Sequence, residues 1–366
     1  MDMRGLMTSC SLVLLGGCRA GGPSPVGPHI TCDDPPRCYR TNGTGVYTAE
    51  DAFAGIGDSQ LMITHFTNEG SSVTFEGRYR VDASVPYWQF LTTPGKVYGA
   101  EHPKTPCNSS SHPCAPSKSV VSVTEASTHP TWILEDPITH AQDPVGPDGL
   151  GGLRLFISFE PILSHGEIYM IEFDGPAIKQ LPDRRPVSVY GMTWATPSGS
   201  KATPYCWDKP NVDPSKKPDP IVFQQGIAVD PLTGKVTRDP NFITMSCYLG
   251  APATVYGWKY DYTGANTFYF DSAIQMKRAS YCGNEDNYTV AGTKIQIIDD
   301  QKINDEIPIG RLEASWSPTG ATCLNPSNVR YPKKPFPGFC KSTRLPPCQA
   351  PPGTAANPRF LVDGPE

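Results

Sequence analysis

The chain has 366 residues and a net charge of −5. That is long enough for two domains, and it lacks the basic excess that nucleic-acid binding needs. Its 40 prolines are well above the usual share and argue against long helices, because proline has no backbone donor for a helix interior. The expectation is strands joined by long surface loops, with no run of about 20 apolar residues to span a bilayer.

Arg4 and the apolar Leu12-Val13-Leu14-Leu15 precede Leu15-Gly16-Gly17-Cys18. This resembles a bacterial lipobox, where small side chains admit the peptidase and the thiol accepts the acyl group. Residues 1–17 then read as a lipoprotein signal peptide and Cys18 as the lipidated residue. Several acyl chains, at about 0.8 kcal/mol per buried methylene, give stable anchoring. Arg19 in place of an aspartate favours the outer membrane, on either its periplasmic or its surface face. Residues 18–35 read as a flexible tether rich in Gly and Pro.

Cys10 leaves with the signal. Ten of the twelve cysteines then remain as disulfide candidates: Cys32, Cys38, Cys107, Cys114, Cys206, Cys247, Cys282, Cys323, Cys340 and Cys348. An even number outside the cytoplasm reads as a disulfide framework. Three close pairs suggest local loops, Cys32 with Cys38, Cys107 with Cys114 and Cys340 with Cys348. The other four are spaced as if one sat on each successive β unit. No C-x-x-C occurs, and neither a metal nor another cofactor is expected.

Residues 36–165 read as a β-rich N-terminal region. Leu61–Phe66 and Val73–Tyr79 form a hairpin about Asn68-Glu69-Gly70. The stretch 94–116 reads as loop, Val120–Val123 as strand, and 136–152 as a second long loop. Leu153–Phe159 and Ile168–Phe173 are strands on either side of a boundary near 165, or else a hairpin inside one domain. Val187–Trp194 is a strand leading to Tyr205-Cys206-Trp207. Asp230–Gly234 is a turn, Phe242–Cys247 a strand, and Thr263-Gly264 another turn. Ser272 or Asp271 caps a short helix running to about Cys282, which Gly283 ends. Thr293–Asp299 is a strand, and Leu312–Trp316 with Ala321–Leu324 a hairpin about Pro318-Thr319-Gly320. Residues 351–366 read as a flexible tail. The fold class is mainly β with one or two short helices, α+β being the variant, stapled by disulfides.

The stretch Ala279-Ser280-Tyr281-Cys282-Gly283 resembles the signature of the ADYC domain of bacterial, largely myxobacterial, lipoproteins. Supporting matches run in family order: Tyr190 to Trp194 with Tyr205-Cys206, Phe242 to Cys247, Gly257-Trp258-Lys259-Tyr260, Met276-Lys277-Arg278, Glu313-Ala314-Ser315-Trp316, Gly320 with Cys323, then Cys340 and Cys348. The resemblance covers about residues 166–350 and implies an envelope location, without an activity. Ser280 stands where the signature has Asp, and Val255 where many members have a cysteine.

The residues themselves point to no reaction. All seven histidines (His29, His65, His102, His112, His129, His140 and His165) precede residue 166, so the signature region contains no imidazole for a Ser-His or Cys-His pair. The acidic groups Asp299-Asp300 with Asp305-Glu306, Glu285-Asp286, and Asp143 with Asp148 read as solvated turns. His65 reads as a packed residue, and Cys282 as a half-cystine, since a helix C-terminus disfavours a thiolate. No catalytic residue is assigned, and an enzyme is not the leading expectation. That expectation is a lipid-anchored envelope protein, held to the membrane by its lipid, that binds or scaffolds an envelope protein or glycan. A glycan or small-ligand binder using Trp194, Trp207, Trp258 and Trp316, and a hydrolase using carboxylates and His65, are the alternatives.

Overall fold

The computed structural model describes residues 59–80, 91–102, 115–126, 128–159, 168–179, 185–195, 203–206, 220–264, 267–284, 312–330 and 344–348, with short pieces at 39–40, 54–56, 288, 294–295, 297–303, 340 and 360–363. The signal segment, Cys18, the tether, Cys32, Cys38, Cys107, Cys114 and Trp207 lie outside them.

In chain order the strands begin with β1 (Tyr39–Arg40), β2 (Ala54–Ile56), β3 (Ser59–Glu69), β4 (Ser72–Arg80) and β5 (Leu91–Glu101). Then come β6 (Ser119–Ala126), β7 (His129–Glu135), β8 (Gln142–Val145), β9 (Arg154–Phe159), β10 (Tyr169–Lys179), β11 (Val187–Ala195), β12 (Thr203–Pro204), β13 (Ile221–Val229) and β14 (Val236–Cys247). Helices α1 (Ala251–Gly257) and α2 (Thr267–Arg278) follow, then β15 (Lys294–Ile295), β16 (Ile297–Ile298), β17 (Leu312–Ser317), β18 (Gly320–Leu324) and β19 (Phe360–Asp363).

Antiparallel pairing runs β3-β4-β5-β9-β10-β11-β13-β14, and β14 pairs back onto β3 through Phe242↔Thr67 and Thr244↔His65. The result is an eight-stranded up-and-down barrel, whose closure removes the open sheet edges. It crosses residue 165, because β9 pairs β10 through Leu155↔Ile171. A barrel of this size has an interior about wide enough for side chains or one small ligand. Here Phe66, Phe75, Phe173, Tyr190, Phe223 and Met245 point inward and share one buried core.

Between β5 and β9 the chain forms a separate leaf, β6-β7-β8, also antiparallel. It contributes Val120, Val123, Trp132, Leu134 and Val145 to the barrel core. The Trp132 ring meets Phe66 at 5.2 Å, Phe173 at 6.1 Å and Phe223 at 6.5 Å. Those rings sit on β3, β10 and β13, so the leaf reaches across the barrel.

A second core lies outside the barrel wall. Val187 and Val189 of β11 and Val222 and Val229 of β13 turn outward onto Val255, Trp258, Phe270, Ile274 and Trp316. Strands β11 and β13 therefore face two cores, which explains their nearly unbroken apolar sequence. Helix α2 packs on β17, part of a small sheet ordered β16-β19-β17-β18.

Several expectations need correction. The stretch 94–116 begins inside β5. Pro94 pairs with Glu76 of β4. Phe75 lies directly on its cross-strand partner Gly95, where any Cβ would meet the ring at 2.0 Å. The 136–152 loop contains β8, and the tail contains β19. Helix α1 was not expected, and α2 starts at Thr267, before either proposed cap. Ser272 lies within it and donates to the Phe268 carbonyl at 2.7 Å.

Cysteine pairing also differs. The bridges among the described residues are Cys206–Cys247, Cys282–Cys340 and Cys323–Cys348. Cys340 and Cys348 do not close a local loop. The hairpin places Cys323 by the 344–348 segment, where the Cys348 amide also donates to Asn325 Oδ1 at 3.0 Å.

Candidate functional site

Helix α2 ends in a hydrogen-bonded reversal built from the signature residues. The Ser280 amide donates to the Gln275 carbonyl and the Ala279 amide to the Met276 carbonyl, both at 3.0 Å, with Ala279 at φ +51°. This is the Schellman arrangement, in which glycine is the usual residue. Ala279 is fully buried, so its methyl fills space in the second core. Ser280, also buried, donates to the Asn284 carbonyl at 3.0 Å.

Tyr281 stacks on Trp316 at 5.3 Å and meets Tyr288 at 5.2 Å. Its hydroxyl donates to Glu313 Oε1 at 2.5 Å. The same carboxylate receives Arg330 through Nη2 at 2.6 Å, Nε at 3.0 Å and the backbone amide at 2.9 Å. Arg330 Nη1 then reaches the Met276 carbonyl at 2.9 Å, near the end of α2. Burial, reinforced by the Glu313 charge, holds the Tyr281 phenol well above its ordinary range. Burial works against the Arg330 charge, but the facing Glu313 outweighs it and raises the guanidinium.

Cys282 is tied to Cys340, and Gly283, at φ +61°, packs so closely on Thr319 that a Cβ would sit 2.0 Å from that carbonyl oxygen. On the barrel side, Lys277 is completely buried and donates to the Leu249 carbonyl at 2.9 Å. Burial, with the neighbouring Arg278 charge, lowers its amine to about 7. The signature is thus a junction that fastens α2 to the β17–β18 hairpin.

The other expected residues are dispersed. Trp194, Trp258 and Trp316 are buried, so they form no exposed platform. His65 is buried against Phe242, and burial lowers its imidazole to about 4, which the charge of Asp239 only partly opposes. Asp299 accepts from the Tyr260 hydroxyl at 2.8 Å and the Ile303 amide at 3.0 Å. Asp143 pairs with Lys118 at 2.6 Å. Glu285, Asp286, Asp305 and Glu306 lie outside the described residues. Among the described residues no three His, Cys, Asp or Glu side chains gather as a metal site.

One cluster escaped the sequence reading. At the tip of the β6–β7 hairpin, His129 Nε2 lies 3.0 Å from Ser188 Oγ and His129 Nδ1 lies 3.4 Å from the Tyr190 hydroxyl. The Ser188 amide donates to Thr128 Oγ1 at 3.0 Å. Beside it, Glu125 accepts from the Thr128 amide, from the Gln225 amide at 2.8 Å and from the Tyr262 hydroxyl at 2.9 Å. Burial raises the Glu125 carboxyl, against these hydrogen bonds and the nearby His129. Tyr262 belongs to the loop after α1, so this carboxylate joins the leaf, the barrel and the helical layer. All histidines precede residue 166, but docking of the leaf on the barrel carries one of them onto β11.

Residues 150–330 match the model of the ADYC domain. No curated protein and no solved structure matches the chain. The matched stretch starts at Leu150, before β9, and ends at Arg330, the partner of Glu313.

Proposed function

The chain is a member of the ADYC domain family through residues 150–330, and from that premise we propose that it is a lipid-anchored protein of the bacterial cell envelope whose folded part binds or bridges a partner there. Cysteine usage carries this reading. Three disulfides join distant parts of the fold, as oxidising compartments allow, and Leu15-Gly16-Gly17-Cys18 supplies a separate thiol suited to acylation. Arg19 after that cysteine favours the outer membrane. A binding or bridging role draws support from a barrel filled by its own aromatic side chains and a signature whose Tyr281 is engaged with the internally paired Glu313 and Arg330. An exposed-tryptophan glycan platform draws none from the buried tryptophans, and neither does a hydrolase built on the buried His65.

The anchor is tested by metabolic labelling with a fatty-acid analogue. Wild type should carry the label and partition with membranes, while Cys18→Ala should lose both properties. Equal labelling of the two would sink the proposal. Cross-linking on intact cells should recover an envelope protein or glycan bound to the folded part.

A further inference from the structure

We propose that Ser188 is a nucleophile for acyl transfer, with His129 as its general base, at the barrel mouth beneath the β6–β7 hairpin. This goes beyond a binding role and does not depend on it. The geometry has three parts. First, Ser188 Oγ stands 3.0 Å from His129 Nε2, within proton-transfer reach. Second, the Tyr190 hydroxyl faces the other ring nitrogen at 3.4 Å. An Nδ1–H donated to that oxygen leaves the Nε2 lone pair directed at the serine hydroxyl, the tautomer a base requires. Third, the serine backbone is held from the same hairpin, through its amide to Thr128 Oγ1 at 3.0 Å.

Thr128 supplies an independent sign. It is a β-branched residue at φ +67°, a left-handed conformation that such residues rarely adopt and that is held where the surroundings over-determine it. Its amide is fixed by Glu125, and this turn sets the position of His129. The strained turn and the imidazole it aims therefore form one unit.

The mouth also offers access. His129 is only half-buried. Ser188 pairs across the sheet with Ile178, so the two side chains share a face. Ser188 is 3% exposed but Ile178 is 61% exposed. The serine is thus nearly covered, with the exposed Ile178 as its apolar neighbour, and the substrate class assigned to it is an uncharged ester with an apolar acyl group. In the step, Oγ bonds to the ester carbonyl carbon as its proton passes to Nε2. The bond to the leaving alkoxide then breaks and that proton returns to the alcohol. Water, deprotonated by the same nitrogen, releases the carboxylic acid and restores the serine.

The test is a fluorophosphonate probe applied to the full-length folded protein, followed by peptide mass mapping. The phosphorus–oxygen bond should form at Ser188 with loss of fluoride. The adduct should be absent in Ser188→Ala, and its rate should fall at least about tenfold in His129→Gln. Tyr190→Phe should keep the adduct on Ser188 and change the pH profile of its formation. Thermal unfolding of each variant separates lost folding from lost reactivity. No adduct on folded wild type, or an adduct that survives Ser188→Ala, overturns the proposal. A purely structural role for the trio would lower the unfolding temperature of the variants with wild type unlabelled.

Discussion

Glu313 and Arg330 have fully buried side chains and satisfy one another, so either one alone is a charge in an apolar core. Glu313→Gln should therefore cost about 3–5 kcal/mol in urea unfolding, most of it from the stranded guanidinium. Tyr281 would keep only a neutral amide oxygen as its acceptor, and its stacking on Trp316 would remain. Lys277 makes a pH-dependent contribution. Its folded value of about 7 lies below the ordinary 10.5, so between these values the unfolded chain binds more protons. Stability should then rise with pH through that window, by up to about 1.4 kcal/mol per unit. Unfolding at pH 7 and pH 9 should show the rise, and Lys277→Met should remove it. At this scale packing residues were legible in the sequence. Ala279, Tyr281, Cys282 and Gly283 are small, aromatic, bridging and turning residues, and each acts through that property. The partners of Glu313 and Lys277 were not legible, since nothing local in the sequence brings Arg330 or Leu249 beside them.

Elements defined by their own turns were readable. The β3–β4 hairpin reverses at Gly70, with φ +67°, and β13–β14 at Gly234, with φ +71°, where glycine chemistry marks the chain locally. Helix α1 was not readable. All seven of its residues are buried and Pro252 stands in its first turn, so it presents no polar face and no 3.6-residue period. The start of α2 was missed for a related reason, because Thr267-Phe268-Tyr269-Phe270 has the composition of a strand. The leaf β6–β8 illustrates how an element acquires its weight from elsewhere. Its Trp132 is fully buried among rings from three barrel strands. Trp132→Ala should destabilise by about 3–5 kcal/mol, read by denaturant unfolding. It should also loosen the hairpin that carries Glu125 and His129. A loss below about 1 kcal/mol would show that the leaf is not integral to the barrel core.

For the whole molecule, composition implied a β-rich, disulfide-stapled chain, and the barrel and the three bridges among the described residues agree. Thiol titration of the mature, denatured, unreduced protein should find almost no free thiols; several would refute the disulfide framework. By itself the sequence determined the strand-rich class, the local hairpins, the set of cysteines available to pair and the family to which residues 150–330 belong. These rest on turn chemistry, proline content and short motifs, all of which act between near neighbours. Only the tertiary structure decided that β14 closes onto β3, that Cys340 and Cys348 take different partners, and that His129 meets Ser188. Such contacts join residues far apart in the chain: barrel closure buries inward-facing side chains from all eight strands at once, docking of the leaf brings His129 to β11, and the two bridges follow the packing of the signature turn and the β17–β18 hairpin. No single strand carries that information.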